Sequence, residues 1–159
     1  MIKFRAFTNN MEMVIGNLSI LTKKYLDLQP GWYISNESGA PFAFDVKPET
    51  VGQFTGLLDR DGKEIYSGDI VQIVKKARKT NHIIMFSKGS FAIQPPCMNY
   101  IHLNEFTSSK KLKVTGNIHQ NPELLKGIAF LNHLGEKYYL TDEDIYADDW
   151  EVVGGEKTH

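Results

Sequence analysis

The sequence predicts a mainly β protein, all-β or β-dominated α+β. It is expected to hold an N-terminal antiparallel β unit and an SH3-like small barrel, with a short helix after the NPELL stretch at Asn121–Leu125. Three observations lead there. The stretch Gln53–Val71, QFTGLLDRDGKEIYSGDIV, sets two clusters of turn-forming residues between apolar runs. Short segments with alternating or β-branched side chains recur along the chain at close spacing. The clearest helix start is Asn121-Pro122-Glu123, late in the sequence.

Taken in order, Ile2–Phe7 alternates as I-K-F-R-A-F, and a turn at Thr8, Asn9 and Asn10 leads into a returning strand over Met11–Ile15. Gly16–Leu28 has two patterns. Leu18, Leu21, Tyr25 and Leu28 fit helical spacing, while Ser19, Ile20 and Thr22 suit a strand, and the strand is preferred. Pro30-Gly31 turns into Trp32–Ile34, and Asn36–Gly39 turns into Phe42–Val46, completing a second antiparallel pair. Pro48 and Gly52 mark Lys47–Gly52 as a seam, so residues 1–52 are expected to form the N-terminal unit, 53–126 the barrel and 127–159 an extension packed on it.

Within the central stretch, Gly56 precedes the turn at Asp59, Arg60, Asp61 and Gly62, and Tyr66 precedes the turn at Ser67, Gly68 and Asp69. Gly62 supplies the positive φ that closes such a turn without a Cβ clash. Strands are then expected at Ile70–Lys75, His82–Phe86, Phe91–Gln94, around Tyr100–Leu103 and at Lys111–Ile118, where Leu112, Val114 and Gly116 share a face. Short strands joined by tight turns suggest the small barrel. Asn121 as cap, Pro122 in the first helical position and Glu123 at the positive end of the dipole predict a helix over Glu123–Phe130. Its positions Leu124, Leu125, Ile128 and Leu131 would dock on the barrel. Lys137–Leu140 and Trp150–Val153 read as two further strands.

Composition narrows the class. With 159 residues, 42% apolar and 23% charged, the chain suits one or two globular units, and a net charge of -1 gives no global pull towards nucleic acid or anionic membrane. A single cysteine, Cys97, excludes an internal disulfide framework and multi-cysteine zinc sites. Neither a signal-peptide pattern nor a membrane-length apolar run is present, so a cytoplasmic location is expected.

Three motifs carry a family resemblance: KFRAF at Lys3–Phe7, FTGLLDRDGKEIYSGDIV at Phe54–Val71 and VTGNIHQNPELL at Val114–Leu125. In this order and spacing the chain resembles the YopX family of bacteriophage and prophage proteins. The resemblance implies a β-rich fold and a phage or prophage origin, in a bacterial host, and it brings no catalytic residue to carry over. Phe7 stands where a tryptophan is expected, and the chain runs on past NPELL to His159, beyond the expected end of the family pattern.

Each candidate site also has a structural reading. Asp59, Asp61 and Gly62 suggest a calcium loop, but with Gly62 as the obligatory glycine the bidentate Glu would fall on Gly68, so the cluster reads as a turn. Cys97 lacks an adjacent activating base, and His82, His102, His119, His133 and His159 are not spaced for a shared metal. No metal, cofactor or small-molecule substrate is expected, and no catalytic motif is found. Lys75, Lys76, Arg78, Lys79 and Lys88, followed by Lys110, Lys111 and Lys113, form the best nucleic-acid candidate, with Phe86, Phe91 and Tyr100 as stacking aromatics. Solvated lysines guarding sheet edges are the competing reading. From Glu136 to Glu151 seven acidic residues stand against Lys137 alone, a local charge of -6, which suggests a homo-oligomer through opposite charge blocks. The expected function is a non-enzymatic binding or self-assembling module engaging itself or another protein, with nucleic-acid binding in phage gene expression or replication as the alternative. Gly56, Asp59, Gly62, Tyr66, Gly68, Asp69, Gly116, Asn117, Asn121 and Pro122 are expected to be structural.

Overall fold

The computed structural model describes residues 2–36, 43–74, 80–94, 101–103, 111–126, 129–131 and 137–139. It is mainly β with antiparallel sheets, and divides into two compact units, Met1–Gly56 and Leu57–His159.

In the first unit, β1 (Phe4–Phe7), β2 (Met13–Leu21), β3 (Gly31–Asn36), β4 (Ala43–Asp45) and the start of β5 (Gly52–Leu58) are ordered β4-β3-β2-β1-β5. The strand reading of the ambiguous second segment holds as far as Leu21, and Gly16 lies inside β2, opposite Phe4. Alternation sets the register. Phe4↔Gly16 and Ala6↔Val14 put the apolar members of the first hairpin on one face, and Ile34 and Val46 join Ala6 in the core. Phe4, Val14, Leu18, Trp32, Phe44 and Val51 pack against them only partly buried. The segment Lys47–Gly52, expected as a seam, lies within the first unit and holds a 3-10 turn, Pro48–Thr50, fixed through Thr50: its Oγ1 accepts from the Phe7 N–H (2.9 Å) and donates to the Lys47 carbonyl (2.7 Å).

In the second unit β5 ends beside β6 (Glu64–Tyr66). A five-stranded sheet follows, from β7 (Asp69–Ile73), β8 (Asn81–Ser87), β9 (Ser90–Gln94), β10 (Ile101–His102) and β11 (Leu112–Asn117), ordered β10-β9-β8-β7-β11. One face gathers Val71, Ile73, Ile84, Ile93, Leu112 and Val114 with Ile65 and Leu103 into the larger core. The β8–β9 turn places both Lys88 (φ 51°) and Gly89 (φ 80°) in the left-handed region, the form that matches strand twist in a two-residue hairpin. Among the described residues no sheet closes on itself.

The expected helix after the NPELL stretch is corrected. Pro122–Leu125 is a single 3-10 turn, ended by an extended Lys126 (ψ 135°), and Ala129–Leu131 forms β12, paired with β13 (Lys137–Tyr139). Asn121 makes no side-chain cap bond, so nothing satisfies the first N–H groups of a longer helix in the way foreseen. The sequence G-I-A-F-L that follows Lys126 also combines glycine with β-branched and aromatic residues, which favour a ladder. The expected strand at Trp150–Val153 lies outside the described residues.

Candidate functional site

Three turns in the second unit hold polar residues singled out in the sequence, and a fourth place, the β2–β3 hairpin of the first unit, holds a cluster of exposed apolar ones.

Asp59 is buried at 5% exposure, and its carboxylate is fully used by main chain. Oδ1 accepts from the N–H groups of Asp61 (2.8 Å) and Lys63 (2.9 Å), closing the turn in which Gly62 takes φ 85°. Oδ2 accepts from the N–H of Val114 (3.0 Å), and the Arg60 N–H donates to the Leu112 carbonyl (2.9 Å). The loop therefore straps the outer edge of β11, which would otherwise present bare N–H and C=O groups. Burial pushes the Asp59 carboxyl up, but the N–H donors of Val114, Lys63 and Asp61, with the Lys63 charge, outweigh it and hold the group below its ordinary value. Asp61 points outwards and pairs with Arg60 (3.5 Å) and Lys113 (3.3 Å) at the surface.

The second turn is built by Gly68 and Asp69. Asp69 Oδ2 accepts from the Tyr66 N–H (2.9 Å), and the Tyr66 hydroxyl donates to Glu64 (2.6 Å). Gly68, at φ 83°, donates its N–H to the Ile84 carbonyl (2.8 Å) and accepts from the Ile118 N–H (3.0 Å). In the third turn the Asn117 carbonyl accepts from the Gln120 and Asn121 N–H groups, and its side-chain oxygen accepts from the His119 N–H (2.9 Å). Asn121 reaches back to accept from the Asn117 N–H (3.3 Å). A Cβ at Gly116 would stand 2.7 Å from Asn121 Oδ1 and 2.8 Å from Leu124 Cδ1, so only glycine lets this turn fold against β11. Asn81 then donates to the Leu124 carbonyl (2.8 Å), which fixes the segment to β8 and buries Leu125.

The aspartates of the first two turns are thus used to shape main chain. Among the described residues no group of three or more His, Cys, Asp and Glu could hold a metal ion. Gly56, at φ 85°, is the last residue of the first unit.

The basic candidates are dispersed where they can be placed. Lys88 caps the β8–β9 turn, whereas Lys111 precedes β11, its carbonyl bonded to the Val74 N–H at the other end of the sheet. Phe86 is exposed beside Lys88 and packs edge-on against Phe91 (5.2 Å, 73°). Lys75, Lys76, Arg78, Lys79 and Lys110, with Cys97 and Tyr100, lie outside the described residues.

Sequence reasoning missed the β2–β3 hairpin tip. Residues 22–30 are all exposed, including Tyr25 (65%), Leu26 (76%) and Leu28, and Ile20 at the end of β2 is also exposed. Tyr25 and Leu28 exchange both main-chain hydrogen bonds (3.1 and 3.0 Å) around a turn that holds Leu26 at φ 53°. A leucine in this region costs about 1–2 kcal/mol relative to ordinary backbone. The available signal was Tyr25-Leu26-Asp27-Leu28, an apolar-rich turn between Lys24 and Pro30-Gly31 with no glycine of its own.

Among curated proteins none matches the chain. Among solved structures, the crystal structure of protein EF1440 from Enterococcus faecalis is similar at 27% identity and a TM-score of 0.47, over 79% of this chain and 99% of that one. The family described as YopX protein matches residues 3–126, and with the motif turns of the second unit inside that span, the chain belongs to the YopX family.

Proposed function

We propose that this protein is a phage- or prophage-encoded, non-enzymatic interaction module of the bacterial cytoplasm, and that it engages its partner through the β2–β3 hairpin of the first unit. The observation that carries this reading is the exposed, strained tip: Tyr25, Leu26 and Leu28 face solvent on a turn that pays for a left-handed leucine. Strain of this kind is found at ligand clamps and binding loops, and exposed aromatic and aliphatic side chains supply the anchors of protein interfaces. The use of Asp59 and Asp69 as main-chain acceptors supports a scaffold role for the family motif. The second unit is read in the same proposal as an SH3-like small barrel, whose short meander β7-β8-β9-β10 supports it.

Photo-crosslinking tests the reading: a photoreactive residue replaces Leu26 in one variant and exposed Glu12 in another, both in bacterial cells. Crosslinked protein adducts concentrated at position 26 are expected. Equal or absent adducts at the two positions overturn it.

Nucleic-acid binding is the second reading, favoured by exposed Phe86 beside Lys88. It predicts affinity for mixed oligonucleotides that falls steeply with salt and falls again in Phe86→Ala.

A further inference from the structure

The occupant of the hairpin tip can be argued from charge and from the chain itself. Lys23 and Lys24 are exposed directly before Tyr25, with Asp27 the sole acid from Leu21 to Pro30, so the tip is apolar with a basic flank. Its chemical complement is a segment that is acidic and carries aromatic and aliphatic side chains. The protein contains one. After Tyr139, where the described residues stop, 20 residues remain, and Thr141–Val153 reads TDEDIYADDWEVV: six acidic residues, no basic one, and Ile145, Tyr146, Trp150, Val152 and Val153 as apolar anchors. Fully extended, the stretch from Leu140 to Val153 spans at most about 50 Å, enough to reach a neighbouring molecule.

We propose that the hairpin tip of one copy binds the acidic segment 141–153 of a second copy, Lys23 and Lys24 meeting its carboxylates while Tyr25, Leu26 and Leu28 receive its aromatic residues. This rests on the interaction reading above and names the partner as this chain. Each copy offers a hairpin and a tail, so a reciprocal, isologous dimer or a closed heterologous ring satisfies both. Opposite charge steers the encounter and selects the register, and the apolar anchors hold it.

Charge exchange tests this on the full-length chain. Mass is followed by light scattering over a concentration series for the unaltered protein, for K23E/K24E, for D148K/D149K and for the four together. Assembly of the unaltered chain is expected, weakened at least about tenfold by either pair and restored to within about threefold by the combination. A second variant, Leu26→Gly, which removes an anchor at a backbone position glycine favours, is expected to weaken assembly by a similar factor. Every variant is checked for an unchanged circular dichroism spectrum, since all the altered hairpin residues are exposed.

A chain that is monomeric at every concentration overturns the proposal, as does assembly indifferent to K23E/K24E or a combination that fails to restore it. A monomer whose position 26 still crosslinks to a different protein defeats this occupant and leaves the interaction reading standing. A monomer with no crosslink at position 26 defeats both.

Discussion

The central motif of the second unit and the hairpin tip of the first depart from the usual placement of residues in opposite directions. In the motif, Asp59 is buried and accepts from three main-chain N–H groups, and Asp69 is buried and accepts from the Tyr66 N–H. At the tip, Tyr25, Leu26 and Leu28 are exposed. A buried carboxylate departs from the usual partition by itself, whereas exposed apolar side chains depart from it only as a cluster. The buried carboxylates are accounted for locally, because every turn N–H they accept would otherwise cost free energy unpaired. The exposed leucine at φ 53° sits in a turn closed by the two main-chain hydrogen bonds between Tyr25 and Leu28. The buried carboxylates therefore serve the architecture, while recognition by the exposed apolar groups of the tip is the reading proposed above.

Removing the buried carboxylate is the strongest way to break this contrast. In Asp59→Asn the amide keeps one acceptor oxygen and turns an NH2 towards main-chain N–H donors, so a loss of about 2–3 kcal/mol in urea unfolding is expected. Gly116→Ala comes next, at about 1–3 kcal/mol, because its Cβ would press on Asn121 and Leu124 at under 3 Å. Gly68→Ala should cost about 1–2 kcal/mol from its left-handed backbone alone, since its Cβ would meet Asn117 at an ordinary 3.5 Å.

Acid sharpens the comparison. Asp59 has its folded-state value lowered from 3.8, so its contribution is fully present above the unfolded value and is lost as pH falls through the lower folded one. As pH falls below the ordinary carboxylate value, the acid limb of stability should be shallower in Asp59→Asn than in the unaltered chain. The smallest and most diagnostic effect is at the tip: Leu26→Gly relieves the left-handed leucine against the added freedom of glycine, so stability should stay level or rise by up to about 1 kcal/mol. A substitution that leaves the fold intact and weakens assembly separates recognition from architecture.

Much of the architecture was legible because it rests on local chemistry. The alternation in Phe4–Phe7, the β-branched run at β7 and the turn glycines Gly62 and Gly68 each act within a few residues, and each lies where its pattern indicated. The partner of Asp59 was not legible, because Val114 is 55 positions away and only the folded sheet brings its N–H to the carboxylate. Asn121 looked like a helix cap for a similar reason: the same side-chain oxygen that caps helices is taken by the Asn117 N–H, a backward bond that the N-P-E pattern does not encode. The hairpin tip was hidden because periodicity over Leu18, Leu21, Tyr25 and Leu28 resembled a helix face, whereas β2 ends at Leu21 and the next nine residues are exposed. A positive φ at leucine contradicts propensity and could not be read from it.

Equilibrium urea unfolding of Asp59→Asn and Leu26→Gly, side by side with the unaltered chain at neutral pH, tests the central contrast most directly. The account predicts that Asp59→Asn loses about 2–3 kcal/mol while Leu26→Gly loses nothing. An Asp59→Asn protein that unfolds with the unaltered midpoint, or a Leu26→Gly protein destabilised as much as Asp59→Asn, would contradict it.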